Sequence, residues 1–167
     1  TFLGFYLVLL YSKFRLFFLI MTFAELSLVL TADKAITIFI IGDSTAANKD
    51  TSGGKQERGW GQMFQSNFNK NFVVVDNHAI NGRSTKSFLD EGRWDVVQKL
   101  IKKGDYVMIQ FGHNDAKDDE TKHTEPGTTF DANLEKYATE TSKLGGIPVL
   151  MSPVVRRNWE NGVLVIS

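Results

Sequence analysis

The chain has 167 residues, no cysteine, and 19 Lys+Arg against 19 Asp+Glu. That length suits one domain with a substantial apolar core, and the even charge leaves no global field that would gather nucleic acid. Without cysteine there can be no disulfide, thiolate metal site, cysteine nucleophile or lipid-modified N-terminal cysteine.

Residues 1–34 are unlike the rest. Thr1–Leu30 is almost entirely apolar, interrupted by Lys13, Arg15 and Glu25. Lys13 and Arg15 ahead of the run Leu16–Ala24 have the form of a basic n-region and an apolar h-region of a signal peptide. Thr22/Ala24 and Thr31/Ala32 offer small residues for cleavage. The rival reading is a membrane anchor, since Leu16–Leu30 approaches spanning length, although Glu25 in its middle makes a stable span costly. Either reading sends residues 35–167 across a membrane as one domain, secreted or periplasmic if the segment is a signal, membrane-held if it is an anchor.

From Ala35 onward strand-like and helix-like segments alternate. Ile36–Ile41 is a continuous β-branched and aromatic run, suited to a strand buried on both faces. Lys49–Gly59 is polar and reads as a surface loop. Trp60–Asn69 spaces Trp60, Met63, Phe64 and Phe68 as a helix would. Phe72–Asp76 is a second buried strand. Arg93–Lys102 places Trp94, Val97, Leu100 and Ile101 on one helical face. Tyr106–Phe111 is a third strand, Gly112–Pro126 a long polar loop, and Phe130–Leu144 a helix closed by Gly145–Gly146. Ile147–Met151 is a fourth strand, and a short apolar end follows. Buried strands separated by helices predict parallel β-α units, hence an α/β fold: a three-layer α/β/α sandwich with the first strand inside the sheet.

Ligands in such sheets bind at the carboxyl ends of the strands. Three polar clusters fall there: Asp43 and Ser44 after the first strand, Asn81 and Gly82 after the second, His113–Asp115 after the third. Ser44 is either an N-cap or a nucleophile displayed at the sheet edge. Gly82 is either the turn residue of an Asn-Gly pair or a backbone N–H that a developing oxyanion can approach. Asn114 is either an Asx cap or a side-chain amide completing that oxyanion hole. Their order, one after each successive strand, favours the catalytic reading of all three.

Gly42-Asp43-Ser44-Thr45, Asn81-Gly82-Arg83-Ser84 and Gly112-His113-Asn114-Asp115 resemble the first three conserved blocks of the SGNH (GDSL) hydrolases. The wider wording around Glu57, Asn77, Glu91, Tyr106 and the Arg156–Arg157 pair is similar to the rhamnogalacturonan acetylesterases. The resemblance runs from about Ile36 to Arg157. It implies a serine esterase without cofactor or metal, acting on an acetylated plant cell-wall polysaccharide of pectic type. Ser44 would be the nucleophile, and its own N–H, the Gly82 N–H and the Asn114 amide would hold the oxyanion. Asp43 and Asp115 would fix the loops.

That family draws its general base from a D-x-x-H tetrad, and none occurs in these 167 residues. The resemblance therefore implies a chain that stops short of its base and, alone, hydrolyses esters poorly. His78 reads as a packing or loop residue, His113 as part of the local structure of its motif, and His123 as an exposed loop residue. His113 and Asp115 with Asp118 or His123 match no zinc spacing. Two other readings stay open: a lipid or thioester hydrolase of the same fold, and a remnant without activity.

Overall fold

The computed structural model describes residues 35–155 and 158–165. The signal and anchor readings of residues 1–34, and the Arg156–Arg157 pair, lie outside the described residues. Among the described residues no helix is long and apolar enough to cross a membrane.

Four strands form one parallel sheet: β1 (Ile36–Gly42), β2 (Val73–Asn77), β3 (Tyr106–Gln110) and β4 (Ile147–Leu150), in the order β2-β1-β3-β4. The first strand lies inside, as its unbroken apolar run predicts. From β1 the chain builds β2 on one flank and then crosses to β3 on the other. That reversal is a topological switch point, where a crevice opens outside the carboxyl ends of β1 and β3. Pro148 in β4 has no N–H to donate and sits on an edge strand, where the loss is tolerated. The other edge is guarded by a side chain. Gln65 accepts from Val75 N (2.8 Å) and donates to the Val73 carbonyl (3.2 Å), so its amide takes the place of a neighbouring strand along β2.

Helices α1 (Trp60–Phe64), α2 (Thr85–Asp90), α3 (Arg93–Gln98) and α4 (Thr129–Lys143) cover the two faces. The helix expected over Trp60–Asn69 is split. After α1 the chain tightens into a 3₁₀ turn at Gln65–Asn67, the point at which Gln65 reaches for β2. Helix α3 ends before Leu100, which is exposed rather than on the buried face with Ile101. Helix α2 was not anticipated. Its start is a capping box in which Ser84 Oγ accepts from Ser87 N (3.1 Å) and Ser87 Oγ accepts from Ser84 N (2.9 Å).

One sheet face carries Phe39, Ile41, Val107 and Ile109 against Phe88, Trp94 and Tyr137 from α2, α3 and α4. The other carries Ile40 against Ala46, Ala47 and Ala79, with Trp60 and Phe64 of α1 packed beside them. The three-layer α/β/α reading therefore holds. Beyond β4, β5 (Asn158–Glu160) and β6 (Val163–Val165) pair as an antiparallel hairpin where only a short apolar end was expected. Asn161 (φ 50°) and Gly162 (φ 78°) supply its turn.

Tyr137 locks α4 to the core. Its ring stacks on Phe111 (5.8 Å, 13°) and meets Trp94 edge-on (5.0 Å, 90°), and its hydroxyl donates to the Thr85 carbonyl (2.8 Å). Burial, and then the charges of Asp115, Asp90 and Glu140, push this phenol above its ordinary value of 10.0. Folded Tyr137 thus holds its proton more tightly than the unfolded chain does. Its stabilisation is complete below that ordinary value and is lost as the pH rises past it. Tyr137→Phe should cost about 1 kcal/mol at neutral pH by removing the hydrogen bond, yet flatten the loss of stability above about pH 10. Urea midpoints of both proteins across that range test it; an equally steep alkaline loss in the variant would contradict the assignment.

Candidate active site

The turn after β1 is built by Asp43. Its backbone carbonyl accepts from Ala46 N (3.3 Å) and Ala47 N (3.1 Å), and its buried Oδ1 accepts from Thr45 N (2.8 Å) and Thr45 Oγ1 (2.8 Å). Ser44 stands between these clamped neighbours, partly exposed at the carboxyl end of an interior strand. Helix α1 presses closely on the turn. Trp60 N donates to the Thr45 carbonyl (2.9 Å), and a Cβ at Gly59 would lie 2.1 Å from the Ala47 carbonyl oxygen. A Cβ at Gly61 would meet the Ala46 carbonyl oxygen at 2.6 Å, so both glycines are dictated by close approach.

The segment after β2 stays beside β1 past the end of the strand: His78 N donates to the Ile40 carbonyl (2.8 Å) and Ile80 N to that of Gly42 (3.0 Å). This brings the Asn81-Gly82 turn to the edge that carries Ser44. Gly82 has φ 77°, and an added Cβ would touch nothing within 4 Å. Backbone conformation, not crowding, requires glycine there, and the space around it is open. Lys49 Nζ, beyond the Ser44 turn, donates to Asn81 Oδ1 (2.9 Å) and pairs with Glu57 (2.9 Å).

Asn114, after β3, is buried and donates from Nδ2 to the Arg83 carbonyl (2.9 Å), one residue from Gly82. An amide nitrogen carries two hydrogens, so this bond fixes the group and leaves a second donor. Its neighbour Asp115 anchors the loop. Asp115 Oδ1 accepts from Thr85 N (2.9 Å), Thr85 Oγ1 and Thr124 Oγ1 (2.9 Å), while Oδ2 is buried without a hydrogen-bond partner among the described residues.

The loops of Ser44, Gly82 and Asn114 are therefore cross-tied at one edge, around the switch point. The histidines are held elsewhere. His78 lies tilted against Phe39 (6.1 Å) and its Nε2 is 3.0 Å from Asp76 Oδ2. That pair sits farther back along β1, because Asp76 is the register partner of Phe39. His113 Nε2 contacts the Val154 carbonyl oxygen. His123 has its Nδ1 on the Lys117 carbonyl oxygen (3.1 Å) and its Nε2 on Glu125 (3.0 Å). The Glu125 carboxylate, and then the Lys117 carbonyl, raise its pKa, which favours the cation over a free base. Among the described residues no group of three His, Cys, Asp or Glu side chains could hold a metal.

A cavity of about 390 Å³ lies beside the third loop, lined by Gly112–His113, Phe130 and Pro153–Val155. Ser44 and Gly82 do not line it. Residues that the sequence did not single out do much of the holding: Thr85, Thr124 and Lys49. Gly59 and Gly61 lie in the stretch after Glu57 that carries the resemblance, Glu57-Arg58-Gly59-Trp60-Gly61-Gln62.

Two curated proteins of Bacillus subtilis are similar to this chain. The probable rhamnogalacturonan acetylesterase YesY is 38% identical over 129 residues, 77% of this chain and 58% of that protein. The rhamnogalacturonan acetylesterase RhgT is 42% identical over 130 residues, 77% of this chain and 54% of that protein. The chain thus spans little more than half the length of these relatives. The fold superposes on the crystal structure of Bacillus subtilis YxiM with a TM-score of 0.66 and 29% identity, covering 74% of this chain and 34% of the other. The model of the GDSL-like lipase/acylhydrolase family matches residues 40–164, spanning all three loops, and the chain belongs to that family.

Proposed function

We propose that this chain carries the nucleophile and oxyanion hole of an exported serine esterase that removes acetyl groups from plant cell-wall polysaccharide of the rhamnogalacturonan type. The observation that supports it most is the bond from Asn114 Nδ2 to the Arg83 carbonyl (2.9 Å), which joins the third loop to the loop of Gly82. Ser44 Oγ attacks the acetyl carbonyl carbon and gives its proton to a base. The carbonyl oxygen becomes an oxyanion held by the N–H groups of Ser44 and Gly82 and by the Asn114 amide. The sugar hydroxyl leaves with a proton, and water then hydrolyses the acetyl-serine. No cofactor enters. The similarity to acetylesterases favours a carbohydrate ester over a lipid one, and the apolar segment 1–30 supports export.

The proton needs an acceptor. The 167 residues hold no D-x-x-H tetrad, and His78 and His123 are engaged with Asp76 and Glu125. The chain alone should release acetate from acetylated rhamnogalacturonan slowly. Joined to a relative's C-terminal segment that carries the tetrad, it should gain on the order of 10³-fold or more in kcat. Ser44→Ala in the joined protein should abolish turnover, and full retention would end the serine mechanism. Faster release from an acyl-lipid than from the polysaccharide would replace the carbohydrate reading with the lipid one.

Asn114→Ala in the joined protein should lower kcat by about 10²–10³-fold and leave KM nearly unchanged, since the oxyanion forms only in the transition state. A change confined to KM would remove Asn114 from the oxyanion hole.

A further inference from the structure

We infer that Gln110 is a positioning residue for Ser44, holding the nucleophile's turn against the central strand through Thr45. The inference rests on the assignment of Ser44 as nucleophile. Gln110 ends β3, is buried, and is the register partner of Gly42, the last residue of β1. Its side chain therefore lies beside the turn that carries Ser44.

Hydrogen-bond chemistry determines which way its amide faces. The Trp60 indole N–H can only donate, and it points at one terminal atom, which must be the oxygen. The other terminal atom lies 3.0 Å from the Ser152 carbonyl oxygen, which can only accept, so it must be the nitrogen. The oxygen faces Thr45 Oγ1 as well, at 3.1 Å. Thr45 has one hydroxyl proton and two acceptors, Asp43 Oδ1 at 2.8 Å and Gln110 Oε1 at 3.1 Å. One amide thus joins four segments: the end of β3, the Ser44 turn, the start of α1 and the chain leaving β4.

Thr45 is the residue through which this hold reaches Ser44. Its N–H is bound to Asp43 and its carbonyl to Trp60 N, and its one hydroxyl proton is shared between Asp43 Oδ1 within the turn and Gln110 Oε1 outside it. Asp43 and Thr45 can shape the turn by themselves, but they are part of it. Gln110 is the tie that refers the turn to an interior strand. A nucleophile displaced by about 1 Å loses about 10²-fold in rate, so such a tie affects reactivity more than stability.

The test uses the chain itself and an ethoxy fluorophosphonate probe. Ser44 Oγ forms the new P–O bond, fluoride leaves, and the hydroxyl proton passes to solvent. Rates come from intact mass and the site from peptide mapping, alongside amide hydrogen exchange at residues 44–47. Gln110→Met should melt cooperatively, slow Ser44 labelling about tenfold or more, and speed exchange at residues 44–47 while β1 and β3 stay protected. Thr45→Val, which also gives up the Thr45 Oγ1–Asp43 bond, should slow labelling too, and the double variant should be slowed by less than the product of the two single effects, because the Thr45–Gln110 contact they share is lost only once. Should Gln110→Met fail to fold, Thr45→Val carries the exchange and labelling comparison, since it removes one hydroxyl and keeps the volume. Unchanged labelling at Ser44 and unchanged exchange in the variants, or additive effects in the double, overturn the inference and leave the nucleophile assignment standing. An adduct elsewhere than Ser44, present equally in Ser44→Ala, overturns the nucleophile assignment and the inference with it.

Discussion

The carboxylate of Asp115 is the constraint on which the candidate site depends. It is buried, and a buried anion is tolerable only where donors converge on it. Thr85 supplies two, its N–H and its hydroxyl, and Thr124 a third. Thr85 is also the first residue of α2, so the anion meets the N–H end of that short helix. The tie continues outward. Asn133 Nδ2 donates to Thr85 Oγ1 (3.0 Å) and Tyr137 to the Thr85 carbonyl, which couples α4 to the same point. Because Asp115 directly follows Asn114, the hold on one residue sets the place of the other.

A second set of ties works from the opposite side of the switch point, and its chemistry differs. There the contacts are between backbones, with glycine at Gly59 and Gly61 letting α1 lie against Ala46 and Ala47. Asn77 reinforces them by donating to the Ala46 carbonyl (2.9 Å). The two sets meet where Ile80 N reaches Gly42 and where Asn114 reaches Arg83. Strands deliver the three loops to a common edge, but these long-range polar contacts decide how the loops stand to one another.

The sheet and its functional edge were legible because parallel β-α units place every strand's carboxyl end together, and the apolar runs mark the strands. Ser44, Gly82 and Asn114 stood out for the same reason, each as polar punctuation after such a run. Helix α2 escaped because its capping box closes with Ser87 where Glu or Gln is the usual signal. The β5–β6 hairpin has a local signal, Asn161-Gly162, but its flanking runs are only three residues long and read as a short apolar end. Leu100 was misplaced because helical periodicity says nothing of where a helix stops. Gln110 was hidden differently. Within Tyr106–Phe111 it reads as one polar residue in a buried strand, and its partners lie 65, 50 and 42 residues away. No local pattern encodes contacts of that range.

The two faces of the sheet also separate what a substitution would disturb. The face under α2, α3 and α4 is filled by Phe88, Trp94, Phe111 and Tyr137, whose rings meet at 5.0–6.4 Å. Truncating any of them opens a large void, and such losses run to about 3–5 kcal/mol in well-packed cores. The face under α1 buries Ile40 with the small residues Ala46, Ala47 and Ala79, and its larger side chains, Trp60 and Phe64 among them, are only partly buried. Enlarging a residue there, or adding a Cβ at Gly59, pushes backbone against backbone beside Ser44. The fully buried rings of the first face therefore contribute more stability each, while the close backbone contacts at Gly59 and Gly61 on the second set the geometry of the nucleophile's turn. A nucleophile carried on a turn held by such close contacts can be repositioned by small changes there while the rings of the opposite face keep the domain folded.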